Sequence, residues 1–120
     1  MNVTMAIPRH LLLTSNQRLH WATKAKRTKA LRWRGYQVGL DMDQMQKTHL
    51  TVFVHWPDNR RRDEMNLAPT LKACIDGMVD AGVLPDDSGD YLIGPDYRRG
   101  PNMKLENAVV VLDFQFEAVT

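Results

Sequence analysis

Residues 60–87 read RRRDEMNLAPTLKACIDGMVDAGVLPDD, and the arrangement of the rest of the chain turns on this stretch. Within it, Leu67, Leu71, Cys74, Ile75, Met78 and Val79 fall at i, i+4, i+7, i+8, i+11 and i+12, which is one apolar face of an α-helix. Asn66 is suited to cap its start, Pro69 is tolerated in a first turn, and Gly82 suits the stop. The helix separates two acid pairs, Asp63-Glu64 and Asp86-Asp87, and carries Lys72 between them. Separated carboxylates with a lysine among them are what a divalent-metal phosphodiester site needs, because Mg²⁺ takes several oxygen ligands and one acid alone holds it weakly. A helix of about 12 to 15 residues keeps its ends apart, so the chain after Pro85 has to fold back toward Asp63 for these acids to meet.

Working outward, residues 49–56 (HLTVFVHW) are β-branched and aromatic and are closed by Pro57-Asp58-Asn59, which predicts a strand. Residues 2–7 form a short alternating run stopped by Pro8, a first strand, and residues 8–20 have no period and read as a loop. Residues 23–40 are rich in Ala, Lys, Arg and Leu and predict a helix too polar for a clean apolar stripe. Its bases Lys24, Arg27, Lys29 and Arg34 cannot share one narrow face at about 100° per residue, so they form a broad positive sector beside Trp33. Residues 91–93 suggest a short strand before a loop over 94–101. Residues 108–116 (AVVVLDFQF) begin apolar on both faces and predict a central last strand. The order β-α-β-α-β-β predicts an α+β fold, a small mixed sheet of about four strands with two main helices on one side.

The 120 residues, 43% apolar and 25% charged, fit one domain spanning 1–120 without low-complexity segments. The single Cys74 excludes an internal disulfide and fits a reducing compartment. No apolar run approaches the roughly 20 residues of a membrane span. The start lacks the charged and apolar regions of a signal peptide, so a cytoplasmic location is expected. Charge is unevenly spread: residues 1–40 hold eight Lys/Arg and no acid, whereas residues 41–120 hold eight bases and all fourteen acids. The asymmetry suggests one polyanion-facing surface and one acidic or metal-binding surface, although a solvated basic helix face would give the same count.

The four histidines have no zinc-ligand spacing, and no P-loop, dinucleotide-binding or nucleophile-elbow motif occurs. Asp63-Glu64 and Asp86-Asp87 also read as turn acids with local ion pairs, and Lys72 with Asp76 as an ordinary i,i+4 pair. The placement of both acid pairs around one helix is what favours a shared site.

The motifs R-R-D-x-x-N-L (Arg61 to Leu67), K-A-x-x-D-G (Lys72 to Gly77) and A-G-V-L-x-D-D (Ala81 to Asp87) resemble the RusA family of Holliday junction resolvases, common in phages and prophages. The resemblance extends to the N-terminal strand, the basic segment with Asn, His and Trp, the V-H-W-P strand end and the final apolar strand. It implies a homodimeric nuclease that cuts four-way DNA junctions with Mg²⁺ or Mn²⁺, in the host cytoplasm if phage-encoded. By that match Asp63 and Asp87 are catalytic carboxylates, Asp86 is a further metal ligand, Lys72 is the catalytic lysine, and Arg62 is the base before the first acid. The family pattern D-x-D-N is here Asp63-Glu64-Met65-Asn66, so Met65 stands where a second aspartate is expected. The interval from Asn66 to Lys72 is also longer by about one helical turn. Glu64 can replace the missing ligand only if the chain turns there, since alternate residues of an extended chain point oppositely.

The expected function is a metal-dependent, structure-selective endodeoxyribonuclease with Asp63, Glu64, Asp86 and Asp87 as metal ligands and Lys72 offsetting developing charge. Arg18, Lys24, Lys26, Arg27, Lys29, Arg34, Arg61 and Arg62 are the expected DNA-backbone contacts. The rival is a non-catalytic branched-DNA-binding protein whose metal site is degraded at Met65.

Overall fold

In the computed structural model, which describes residues 1–119, alternation in the second strand sets the layers. In β2 (Thr48–His55), Thr48, Leu50, Val52 and Val54 are buried, while His49, Thr51, Phe53 and His55 are half-buried on the other face. One sheet face is thus given to the core and the other to solvent. β2 pairs antiparallel with β4 (Val110–Ala118), and β4 pairs antiparallel with β1 (Asn2–Ile7). β2 also pairs in parallel with β3 (Leu92–Arg99), giving the order β1-β4-β2-β3. Leu50, Val52 and Val54 lie opposite Phe116, Phe114 and Leu112, which in turn align with β1 through Val3 and Met5. The last strand is central, as its apolar start predicts. The α+β class, the four-stranded mixed sheet and the two main helices agree with expectation.

A parallel pair cannot be joined by a tight turn, and α2 (Ala68–Asp80) supplies the crossover from β2 to β3. Its predicted stripe is buried, with Val79 half-buried. Thr70, Ala73 and Gly77 are buried as well, because α1 (Trp21–Gly39) covers that side. The buried residues of α1 are Leu31, Gly35 and Gly39, four apart. This explains why α1 lacks an apolar stripe: two of its three buried positions are glycines that admit the partner backbone. A Cβ at Gly35 would lie 2.0 Å from the Cys74 carbonyl oxygen, and one at Gly77 would lie 1.9 Å from the Arg32 carbonyl oxygen.

Two boundaries differ from expectation. Asn66 is not the cap of α2. Residues Glu64–Leu67 form a 3₁₀ turn, capped by the Asp63 carboxylate, which accepts from the Met65 amide at 3.0 Å. α2 then starts at Ala68 with Pro69 in its first turn, where a missing N–H leaves no bond unmade. The strand expected over 91–93 runs on to Arg99, through the segment assigned to a loop. Gly94 is the reason: its φ of +100° and its approach to the Leu50 carbonyl, 2.6 Å from where a Cβ would stand, need glycine. The register shifts between His49 and Thr51, and pairing resumes from Asp96 to Arg99. Gly82, at φ +88°, ends the α2 region as predicted.

The segment before α1 contains one 3₁₀ turn (Arg9–Leu11) and is pinned to α2 by Thr70. The buried Thr70 hydroxyl accepts from the Leu13 amide at 2.9 Å and donates to the Leu13 carbonyl at 2.7 Å. Pairing both groups removes an unmet polar cost of about 1–3 kcal/mol for each. Among the described residues, no helix is long and apolar enough to cross a membrane.

Candidate active site

Lys72 lies on the second turn of α2, on the side turned away from the sheet core, and its ammonium is the hub of the acidic cluster. It donates to Asp76 at 3.0 Å, one turn further along, and to Asp87, which returns from the loop beyond Gly82. The chain after Pro85 does fold back, but to the middle of α2, where Asp87 meets Lys72 and Asp76; among the described residues no contact joins it to Asp63. Asp86 turns its carboxylate inward on the chain, accepting from the Asp87 amide at 2.8 Å. Beside this cluster is a cleft of about 260 Å³ between α2 and β3, with Ala68, Lys72 and Asp87 on one side and Gly94, Pro95 and Tyr97 on the other.

The electrostatics follow from the contacts. Asp87 is held below the usual carboxylate range, chiefly by its hydrogen bond from Lys72. Lys72 is raised, first by Asp87 and then by Asp76. Two carboxylates around one ammonium leave a local excess of negative charge, and Asp86 adds to it. For the depressed Asp87, the stabilising contribution is present above its unfolded pKa and is lost as pH falls through the folded value. For the raised Lys72, it is present below the unfolded pKa and is lost as pH rises through the folded value. The pair therefore contributes across the interval between, by about 1 kcal/mol or less at this exposure. An NMR titration of the Asp87 carboxyl carbon is expected to give a midpoint below the ordinary carboxylate range. That midpoint should rise in Lys72→Met; an unchanged midpoint would remove Lys72 as its cause.

The remaining predicted ligands stand on the 3₁₀ turn. Asp63 precedes it as the cap, and Glu64 accepts from the Trp56 indole N–H at 3.3 Å. The chain does turn here, so the alternation of an extended strand does not apply, but Glu64 is turned to Trp56. Met65 is 65% exposed, so the position where the RusA-like pattern expects an aspartate faces solvent. Among the described residues, no three or more His, Cys, Asp or Glu side chains form a group able to hold a metal ion. Asp63, Asp86 and Asp87 each spend one oxygen on a protein donor and keep the second without a protein donor among the described residues. They fit an ion held by one or two carboxylates together with substrate oxygens and water, and not a cage assembled by protein alone.

The predicted DNA contacts divide. Arg18, Lys24, Lys26, Lys29 and Arg61 are exposed and form no ion pair among the described residues. Arg27 donates to the Leu12 carbonyl at 2.8 Å and Arg34 to the Ala6 carbonyl at 3.3 Å, so both also fasten α1 to its surroundings. Arg62 is bound to Asp58 at 2.7 Å and lies 4.7 Å from the Trp56 ring centre, a cation–π contact. Sequence reasoning reads Asp76 only as the i,i+4 partner of Lys72 and leaves out Tyr97. The i,i+4 spacing to Lys72 was a signal for Asp76; nothing local pointed to Tyr97, which arrives through the lengthened β3. Cys74 is no nucleophile, since burial pushes its thiol up to about 12. No family model and no curated protein sequence matches this chain.

Proposed function

We propose that the chain is a metal-dependent, structure-selective endodeoxyribonuclease acting on four-way or otherwise branched DNA, as its RusA-like motifs imply. The observation that carries the reading is the return of Asp87 to Lys72 and Asp76 beside an open cleft. It joins the acid and the lysine that the motifs separate by fifteen positions. Asp87 and Asp86 would hold Mg²⁺ or Mn²⁺ together with substrate oxygens and water, and among the described residues Asp63, on the turn before α2, is not grouped with them. The ion's chemistry there is to polarise the phosphate and to lower the pKa of a bound water.

The chain's own contribution is positioning and charge. Asp76 holds the Lys72 ammonium at the edge of the cleft, where it offsets negative charge that builds on a scissile phosphate. Asp87 limits how far that ammonium can swing. Lys24, Lys26 and Lys29 on α1, with Arg18 before it and Arg61 before the 3₁₀ turn, would grip phosphates without reading sequence. Two such sites in a C₂ homodimer would suit paired nicks across a two-fold junction. Purified protein incubated with a labelled four-way junction should cleave it with Mg²⁺ or Mn²⁺ and leave it intact in EDTA. Binding without cleavage in any metal would reject the nuclease.

The second reading, a branched-DNA-binding protein without catalysis, is favoured by one observation. Met65 occupies an exposed position on the turn after Asp63, and among the described residues no three-carboxylate group is assembled.

A further inference from the structure

On the outer face of α1, the Trp33 and Tyr36 rings stack with centroids 5.5 Å apart and planes at 19°. Trp33 is two residues from Leu31 and from Gly35, about 200° around the helix from each, so it points away from the face that packs on α2. It is 58% exposed and contributes nothing to the buried core. An indole on the solvent side of a helix, fixed by a second ring, has no packing role there. A shallow groove of about 500 Å³ runs beside the pair, walled by Lys29, Arg32 and Asp80. Arg32 and Asp80 neutralise one another through bonds of 2.6 and 2.8 Å and brace that wall. The free charge is therefore positive. Lys29 and Lys26 lie four and seven residues before Trp33, about 6 and 10 Å along the axis and within about 40° of its direction. α1 carries six bases and no acid.

We infer that Trp33, with Tyr36 behind it and Lys29 and Lys26 in line, is a stacking platform for an unpaired nucleobase of single-stranded DNA. An aromatic face accepts any base, and the lysines meet the adjoining phosphates, which is how sequence-tolerant single-strand sites are built. The inference rests on the nucleic-acid reading above and adds to it. A duplex-backbone grip accounts for the lysines and leaves the indole unexplained; a branched substrate whose bases come unpaired near its crossover gives the indole a ligand.

The test is fluorescence anisotropy in EDTA, where no cleavage intervenes, with three labelled probes: a short oligothymidylate, an abasic strand of equal length, and a blunt duplex. Wild type should bind oligothymidylate more tightly than the abasic strand. Trp33→Ala should weaken oligothymidylate binding about tenfold and leave the other two probes unchanged, and Trp33→Phe should recover most of the loss. Lys29→Gln should weaken all three probes and lower the salt dependence. Equal binding of the abasic strand, an unaffected Trp33→Ala, a loss shared by duplex and oligothymidylate, or a Trp33→Phe no better than Trp33→Ala would each overturn the platform. Metal-dependent junction cleavage measured alongside separates the two proposals. Cleavage without base-dependent strand binding rejects the platform alone, and base-dependent binding without cleavage rejects the nuclease alone.

Discussion

Gly77→Ala is expected to abolish stable folding. The added Cβ would lie 1.9 Å from the Arg32 carbonyl oxygen and 2.6 Å from the Tyr36 amide nitrogen, and both are backbone atoms of α1. No rotamer change can relieve a clash with backbone, so α1 would have to lift off α2 along the crossing that also seats Gly35 against Cys74. Overpacking of this kind costs about 3 kcal/mol or more, a large share of the 5–15 kcal/mol typical of a whole domain. Thermal and urea melts followed by circular dichroism should show the transition lost or strongly lowered. Gly82→Ala is the comparison: nothing lies within 4 Å of the new Cβ, and only the φ of +88° is strained. It should cost about 1–2 kcal/mol. Equal melts for the two variants would contradict the close crossing of the helices.

Lys72→Met is expected to lower junction cleavage by about 10²- to 10³-fold, the scale of losing one positioned charge at a reacting phosphate. Methionine keeps an unbranched stem of similar reach, and Lys72 is exposed on α2, so the fold should stand. Junction affinity in EDTA should fall little, because the α1 lysines carry most of the phosphate contact in this reading. Lys72→Arg should retain part of the activity, since charge persists while geometry changes. Cleavage within a few-fold of wild type in Lys72→Met would remove this residue from the chemistry.

Much of this was legible in local pattern. The spacing of Leu67 to Val79 gave the buried face of α2, the β-branched run gave β2, and the apolar opening of residues 108–116 placed β4 in the middle of the sheet. What was illegible depended on contacts distant in sequence. The burial of α1 through Gly35 and Gly39 has no hydrophobic signature, because the interface is made by the absence of side chains. The extension of β3 past Gly94 and Pro95 needed a neighbouring strand, and two residues that ordinarily mark a loop concealed it. Asn66 looked like the helix cap because it precedes the apolar run, yet Asp63 captured the turn three residues earlier.

In the candidate site, the motif residues Lys72 and Asp87 come together, and Asp76 joins them although it was first read as a mere surface partner. Glu64 illustrates the limit of sequence: its carboxylate type suited a metal, and only the tertiary structure turns it to the indole of Trp56. The Met65 position stays open to solvent, so Met65→Asp would place a carboxylate beside the Asp63 turn without disturbing the core.

The most direct measurement is cleavage of a labelled four-way junction by wild type and by Asp87→Asn, each with Mg²⁺, Mn²⁺ or EDTA. The nuclease reading predicts paired nicks by wild type in either metal, none in EDTA, and none by Asp87→Asn although it still binds the junction. A junction that wild type binds yet leaves uncut in both metals would contradict it.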